Sequence, residues 1–114
     1  MNIQIFGVKK CFDTKKAERY FKERKIKYQF IDLTIKGLSK GELQSVKNSI
    51  ALNNLINSKA KEYKKLNMDR IATAHIREEI LLNNPSLYKT PIVRNGKQAT
   101  VGYQPEVWQC WQDR

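Results

Sequence analysis

Apolar and polar residues alternate from Asn2 to Phe6 and the run breaks at Gly7. This period-two pattern predicts a short buried strand at the head of the chain. Asp13 and Thr14 are both good N-caps, and Ala17, Tyr20 and Phe21 then recur at helical spacing with the aliphatic stem of Arg24. A helix is expected to open there, and residues 28–33 read as a second strand. A strand, helix, strand order of this length predicts a right-handed crossover into a parallel pair. Ser39, followed by Glu42, is a capping-box pattern opening a helix that carries Leu43 and Val46.

Helical patterning then continues in pieces. Leu52, Leu55 and Ile56 suggest one turn, Tyr63 and Leu66 another, and Ile76, Ile80 and Leu81 a better-formed helix ending at Asn83-Asn84-Pro85. Together they predict a helical insert over residues 38–85 or so. After Thr90-Pro91, the runs Ile92-Val93-Arg94 and Gln98-Ala99-Thr100-Val101 flank Asn95-Gly96, a strong hairpin signal. Pro105, then Val107, Trp108 and Trp111, predict a terminal helix with an aromatic face. The order β, α, β, helical insert, β, β, α predicts an α/β fold, with four strands in one mixed sheet and helices on its faces.

The length of 114 residues suits one hydrophobic core, so a single domain over residues 1–114 is expected. No apolar run approaches the roughly 20 residues needed to cross a bilayer. Met1 leads directly into the first strand without a basic leader, so a cytoplasmic protein with no membrane partner is expected. The net charge of +11 favours anionic partners. Its sixteen lysines are scattered through nearly every segment and outnumber six arginines, which describes a solvated lysine surface rather than a nucleic-acid face. Direct nucleic-acid binding is not expected.

The two cysteines, Cys11 and Cys110, are read as separate thiols, because a structural bridge is not expected in a cytosolic chain. Cys11 falls between the first strand and the first helix, where unpaired backbone donors and the helix dipole favour thiolate. Lys9 and Lys10 act in the same direction and Asp13 against it. Cys110, between Trp108 and Trp111, reads as a packing residue or a half-exposed surface thiol. His75 has no partner at ligand spacing, so no metal site is expected.

Several separated stretches carry a resemblance. Phe6-Gly7-Val8-Lys9-Lys10-Cys11-Phe12-Asp13-Thr14-Lys15-Lys16-Ala17 heads the chain, Lys89-Thr90-Pro91-Ile92-Val93 leads to Val101-Gly102-Tyr103 at its tail, and Lys64-Lys65-Leu66-Asn67 follows Tyr63 between them. With this topology the sequence resembles the arsenate reductase (ArsC) family over almost its whole length, and within it the uncharacterised reductase-like branch and the thiol-sensing Spx regulators. The resemblance implies a thioredoxin-like fold and a redox-active Cys11 as the catalytic nucleophile. It also implies a cis-proline at Pro91 facing the cysteine. The positions matching the anion-holding arginines of arsenate-reducing members are Asn57, Thr90 and Tyr103. Neutral side chains there lack the bidentate, charge-assisted contact that an arginine gives an oxyanion, so thiol–disulfide exchange is expected in place of arsenate reduction. Lys10, Thr14, Lys59, Lys89, Thr90, Pro91 and Arg94 are the expected substrate-binding residues. Thr14 stands where redox proteins often carry a resolving cysteine, so a mixed disulfide on Cys11 would be resolved by an external thiol such as glutathione, with no bound cofactor. The partner is then a small thiol or a thiol-disulfide protein. The alternative implied by the Spx branch is a regulator that docks on RNA polymerase, with Cys11 as sensor.

Overall fold

The computed structural model describes residues 1–113. Strand β1 (Ile3–Gly7) runs parallel to β2 (Tyr28–Asp32), connected by helix α1 (Phe12–Glu23). After the insert, β3 (Ile92–Asn95) pairs antiparallel with β1, and β4 (Gln98–Val101) pairs antiparallel with β3. The resulting sheet has the order β2-β1-β3-β4, and α5 (Pro105–Gln112) closes the described chain. This is the four-stranded mixed sheet that the element order predicts.

Strand alternation divides the core between the two sheet faces. Ile3, Ile5 and Val93 meet Ala17, Tyr20 and Phe21 of α1 and Trp108 and Trp111 of α5. Phe6 and Ile92 point the other way, into Leu43, Val46, Leu55, Met68, Leu81 and Leu87 of the insert. Trp108 is fully buried, and its indole N–H donates to Thr100 Oγ1 at 2.9 Å, which satisfies both polar groups inside the apolar layer.

The insert consists of α2 (Lys40–Lys47), α3 (Lys61–Lys65) and α4 (Ala74–Asn83), with short 3-10 turns at Leu52–Leu55, Met68–Arg70 and Pro85–Leu87. The Ser39–Glu42 capping box forms with both reciprocal bonds. Arg77 ties α4 to the turn before it, its guanidinium donating to the carbonyls of Met68 and Ile71 at 2.8 and 2.7 Å. No described helix is long and apolar enough to cross a membrane.

Four local expectations shift. Helix α1 opens at Phe12, with Cys11 as its N-cap residue, rather than at Asp13 or Thr14. Thr14 is instead turned fully inward in the first turn. Ile56, expected in a helical turn, forms an isolated antiparallel bridge with Tyr88. The hairpin loop is Gly96-Lys97, one residue later than Asn95-Gly96, because Asn95 still pairs with Gln98. Gly96 alone takes positive φ there (61°), as a type II′ turn requires at its first central residue. Finally, Ile76 and Val107 project outward, 45% and 38% exposed, because Leu81 and the two tryptophans already fill the inner faces of their helices.

Candidate active site

The site is assembled at the carboxyl end of β1. Gly7 ends the strand, and the chain turns through Val8–Cys11, with Cys11 N–H donating to the Val8 carbonyl at 3.0 Å. Extended backbone at Cys11 (φ −74°, ψ 123°) then leads into α1, so the sulfur stands over the unpaired amides of the first turn. Thr14 is drawn in so far that its side chain rests on Gly7, a fit that the missing Cβ permits.

The opposite wall is built by the insert folding back on itself. Asn57 N–H donates to the Leu87 carbonyl at 2.7 Å and Lys89 N–H to the Leu55 carbonyl at 2.8 Å, flanking the Ile56–Tyr88 bridge. This pairing carries two sequence-distant segments, 57–59 and 89–90, to the same edge of the cysteine. The Thr90-Pro91 peptide is cis, and Gly102 N–H donates to the Pro91 carbonyl at 2.8 Å. Between these walls lies an open cleft of about 590 Å³ onto which Cys11, Asp13, Asn57, Ser58, Lys59, Lys89 and Thr90 face, floored by Val101 and Gly102.

Cys11 is partly exposed and unpaired, and its Sγ–H lies 3.7 Å from the Thr90 carbonyl oxygen. Burial pushes the thiol's pKa up, but hydrogen bonds from the side chains of Thr14 and Thr90 and from the amides of Thr14 and Asp13 outweigh it, and the net shift is downward. The Thr14 hydroxyl is buried and has no hydrogen-bond partner other than the Cys11 sulfur. A thiolate is a stronger acceptor for it than a thiol, so ionisation better satisfies this buried donor.

The sequence-expected site residues are distributed unevenly. Lys59, Lys89 and Thr90 line the cleft with Cys11, and Thr14 lies beneath the sulfur. Pro91 is buried behind Thr90 and supplies shape rather than an exposed contact. Lys10 faces a neighbouring cavity instead. Arg94 is not in the site. The antiparallel register sets it opposite Gln4, toward the far end of β1, where its guanidinium donates to Gln4 Oε1 at 2.7 Å and Ser45 Oγ at 3.2 Å. Of the three positions matching arginines, Asn57 and Thr90 reach the cleft, whereas Tyr103 turns aside to pack edge-on against Trp108. Sequence reasoning named Val101 and Gly102 only within the tail stretch that carries the resemblance, and did not place Ser58 at all. The one available signal was Asn57-Ser58-Lys59, whose Asn57 Oδ1 accepts from Lys59 N–H at 3.0 Å as an Asx turn. Cys110 is exposed on α5, whose buried face is taken by Trp108 and Trp111. Among the described residues, no three His, Cys, Asp or Glu side chains gather as a metal site would require.

Residues 6–110 match the ArsC family. The global transcriptional regulator Spx 2 of Oceanobacillus iheyensis is 28% identical over 110 residues, which span 93% of this chain and 80% of that protein. An ArsC family related protein from Bacteroides fragilis superposes with a TM-score of 0.85 at 23% identity, over 96% of this chain and 97% of its own. An arsenate reductase from Vibrio cholerae does so with a TM-score of 0.83 at 22% identity, over 94% of each chain. The two structures share this fold, which is thioredoxin-like. With a match that runs from the end of the first strand into the last helix, this chain belongs to the ArsC family.

Proposed function

We propose that the protein is a cytoplasmic thiol–disulfide oxidoreductase that uses Cys11 as its nucleophile and an external low-molecular-weight thiol such as glutathione as its reductant. The supporting observation is the presentation of Cys11 at the N-terminus of α1, open to a cleft, with its pKa lowered by neighbouring donors. Cys11 thiolate attacks the glutathione sulfur of a mixed disulfide. A Cys11–glutathione disulfide forms, the old S–S bond breaks, and the substrate leaves as a thiolate that takes a proton from water. A second glutathione, as thiolate, attacks the glutathione sulfur on Cys11, leaving as glutathione disulfide and regenerating the cysteine. Thr14 in place of a second cysteine makes this external step obligatory. The substrate is thus a small disulfide or a thiol-disulfide partner protein. Asn57, Thr90 and Tyr103 provide no guanidinium for arsenate, and the two lysines at the cleft act as point charges without the fork geometry.

The test is turnover of a glutathione mixed disulfide by wild type and Cys11→Ser, together with Cys11 alkylation followed against pH. Loss of turnover in the variant and a thiol titrating below about 8.5 are the expected results. Equal turnover by both proteins would end the reading.

A second reading, a regulator that docks on RNA polymerase, is favoured by the 28% identity with the Oceanobacillus Spx regulator over most of this chain. Capture of purified polymerase by the protein, with Cys11 inert to alkylation, would select it.

A further inference from the structure

A groove of about 340 Å³ runs along α1 toward its C-terminal end, with Lys16, Arg19, Glu23 and Arg24 on the helix side and Tyr103 and Pro105 opposite. It shares no lining residue with the cysteine cleft, but the chain joins the two: Gly102 floors the cleft and Tyr103 lines the groove, and Cys11 is followed by Phe12. Two aromatic side chains stand exposed at this junction. Phe12 is 73% exposed and Tyr103 40%, and the Lys16 ammonium lies 5.3 Å from the centroid of each ring, which gathers them into one patch. Consecutive α-carbons are about 3.8 Å apart, so the patch begins beside the nucleophile.

Charge along the groove is lopsided. Lys16, Arg19 and Arg24 face it against Glu23 alone, whose pairing with Arg19 is long, 4.0 Å, and joins two well-exposed side chains. Such a bridge is weak and yields to a partner. Glu18 is turned away to β2, where it accepts from the Tyr28 hydroxyl at 3.0 Å. Arg24 is already positioned: its guanidinium lies 3.7 Å from the Tyr20 ring centroid and donates to the Tyr20 carbonyl at 3.3 Å. A guanidinium held this way loses little freedom when a carboxylate joins it. We propose that the groove docks an acidic segment of a protein substrate, the segment flanking the glutathionylated cysteine on which Cys11 acts, with its carboxylates toward Lys16, Arg19 and Arg24 and an apolar residue on Phe12 and Tyr103. The inference rests on the thiol-exchange reading and narrows its substrate to a protein. From Phe12 to Arg24 the helix rises roughly 18 Å, the span of about five residues of extended chain. A single-stranded nucleic acid suits the groove less, because Lys16 occupies one face of each ring, where a base would stack, and Glu23 opposes a phosphate backbone.

The experiment uses Cys11→Ser with Cys110→Ser, which leaves no thiol, so binding is read apart from reaction. Fluorescent peptides carry one glutathionylated cysteine with a run of glutamates on one side or the other, or the same run as glutamines, and are titrated by anisotropy. The expected result is an affinity about tenfold higher for one of the glutamate peptides at low salt, lost at high salt. Adding Lys16→Gln and Arg19→Gln should remove that preference, and Phe12→Ala should weaken glutamate and glutamine peptides alike. All three side chains are exposed, so the fold tolerates the changes. Lys40→Gln with Lys97→Gln removes the same charge outside both groove and cleft and should keep the preference, as should Lys59→Gln with Lys89→Gln in the cleft. Equal affinity for glutamate and glutamine peptides, a preference lost as readily in either of those two controls, or single-stranded oligothymidylate binding tighter than the glutamate peptides through Lys16 and Arg19, would overturn the docking surface. Wild-type turnover of a small glutathione mixed disulfide alongside any of those results would leave the redox reading standing. The expected binding without turnover of any glutathione mixed disulfide would do the reverse.

Discussion

Thr14 is seated directly on Gly7: a Cβ added to the glycine would lie 2.6 Å from both Oγ1 and Cγ2 of the threonine. The end of β1 and the first turn of α1 therefore meet through a contact that leaves no room for a side chain on Gly7.

Gly7→Ala is predicted to destabilise the protein by about 1–3 kcal/mol, because Thr14 is fully buried and cannot move aside without disturbing the helix start. Urea unfolding measures it. Gly41→Ala is the control, since an added Cβ there meets nothing within 4 Å and the site is helical. It should be neutral or stabilising by up to about 1 kcal/mol.

Thr14→Val keeps the shape and removes the hydroxyl. Cys11 should then ionise at higher pH, and the midpoint of its alkylation rate should move upward. The same shift predicts a stability effect. With its folded-state pKa below its unfolded value, Cys11 contributes stability that is fully present above the unfolded value, about 8.5, and is lost as pH falls through the folded one. The stability difference between wild type and Cys11→Ser should grow as pH rises through that window. A flat difference, or an unmoved alkylation midpoint in Thr14→Val, would count against the threonine.

Lys59 and Lys89 face the cleft and Arg94 does not. Lys59→Gln with Lys89→Gln is predicted to slow exchange of Cys11 with glutathione disulfide several-fold at low salt, and to leave the neutral hydroxyethyl disulfide unaffected. Arg94→Gln should change neither rate. It should cost about 1–2 kcal/mol of stability through its lost bonds to Gln4 and Ser45.

Trp108 and Thr100 form a buried hydrogen-bonded pair. Thr100→Val strands the indole N–H and should cost about 1–3 kcal/mol, and Trp108→Phe strands the hydroxyl and also leaves space. The double variant should cost less than the sum of the two, which a double-mutant cycle in urea would show.

Local pattern was enough for the order of the elements. The capping box at Ser39, the helical recurrence of Ala17, Tyr20 and Phe21, and the turn chemistry near Gly96 each act within a few residues of themselves. They therefore survive in the structure with shifts of one or two positions. The position of Cys11 between a strand and a helix was legible for the same reason, and the ArsC resemblance gave it a chemical meaning.

Which charges surround that sulfur was legible only in part, through the resemblance that named Lys59 and Lys89 together with the misplaced Arg94, because it depends on pairings between residues far apart in the chain. The Ile56–Tyr88 bridge brings Lys59 and Lys89 to the cleft, and the β1–β3 register sends Arg94 to the other end of the sheet. Lys10, one residue before the cysteine, faces the adjoining cavity. Ile76 and Val107 carry apolar side chains into solvent because larger neighbours had already filled the interior. From the sequence alone came the elements and the place of the candidate thiol between the first strand and the first helix. The tertiary structure decided its neighbours, since sheet register and the closing of the insert are settled by packing across the whole domain and leave no periodic trace in the sequence.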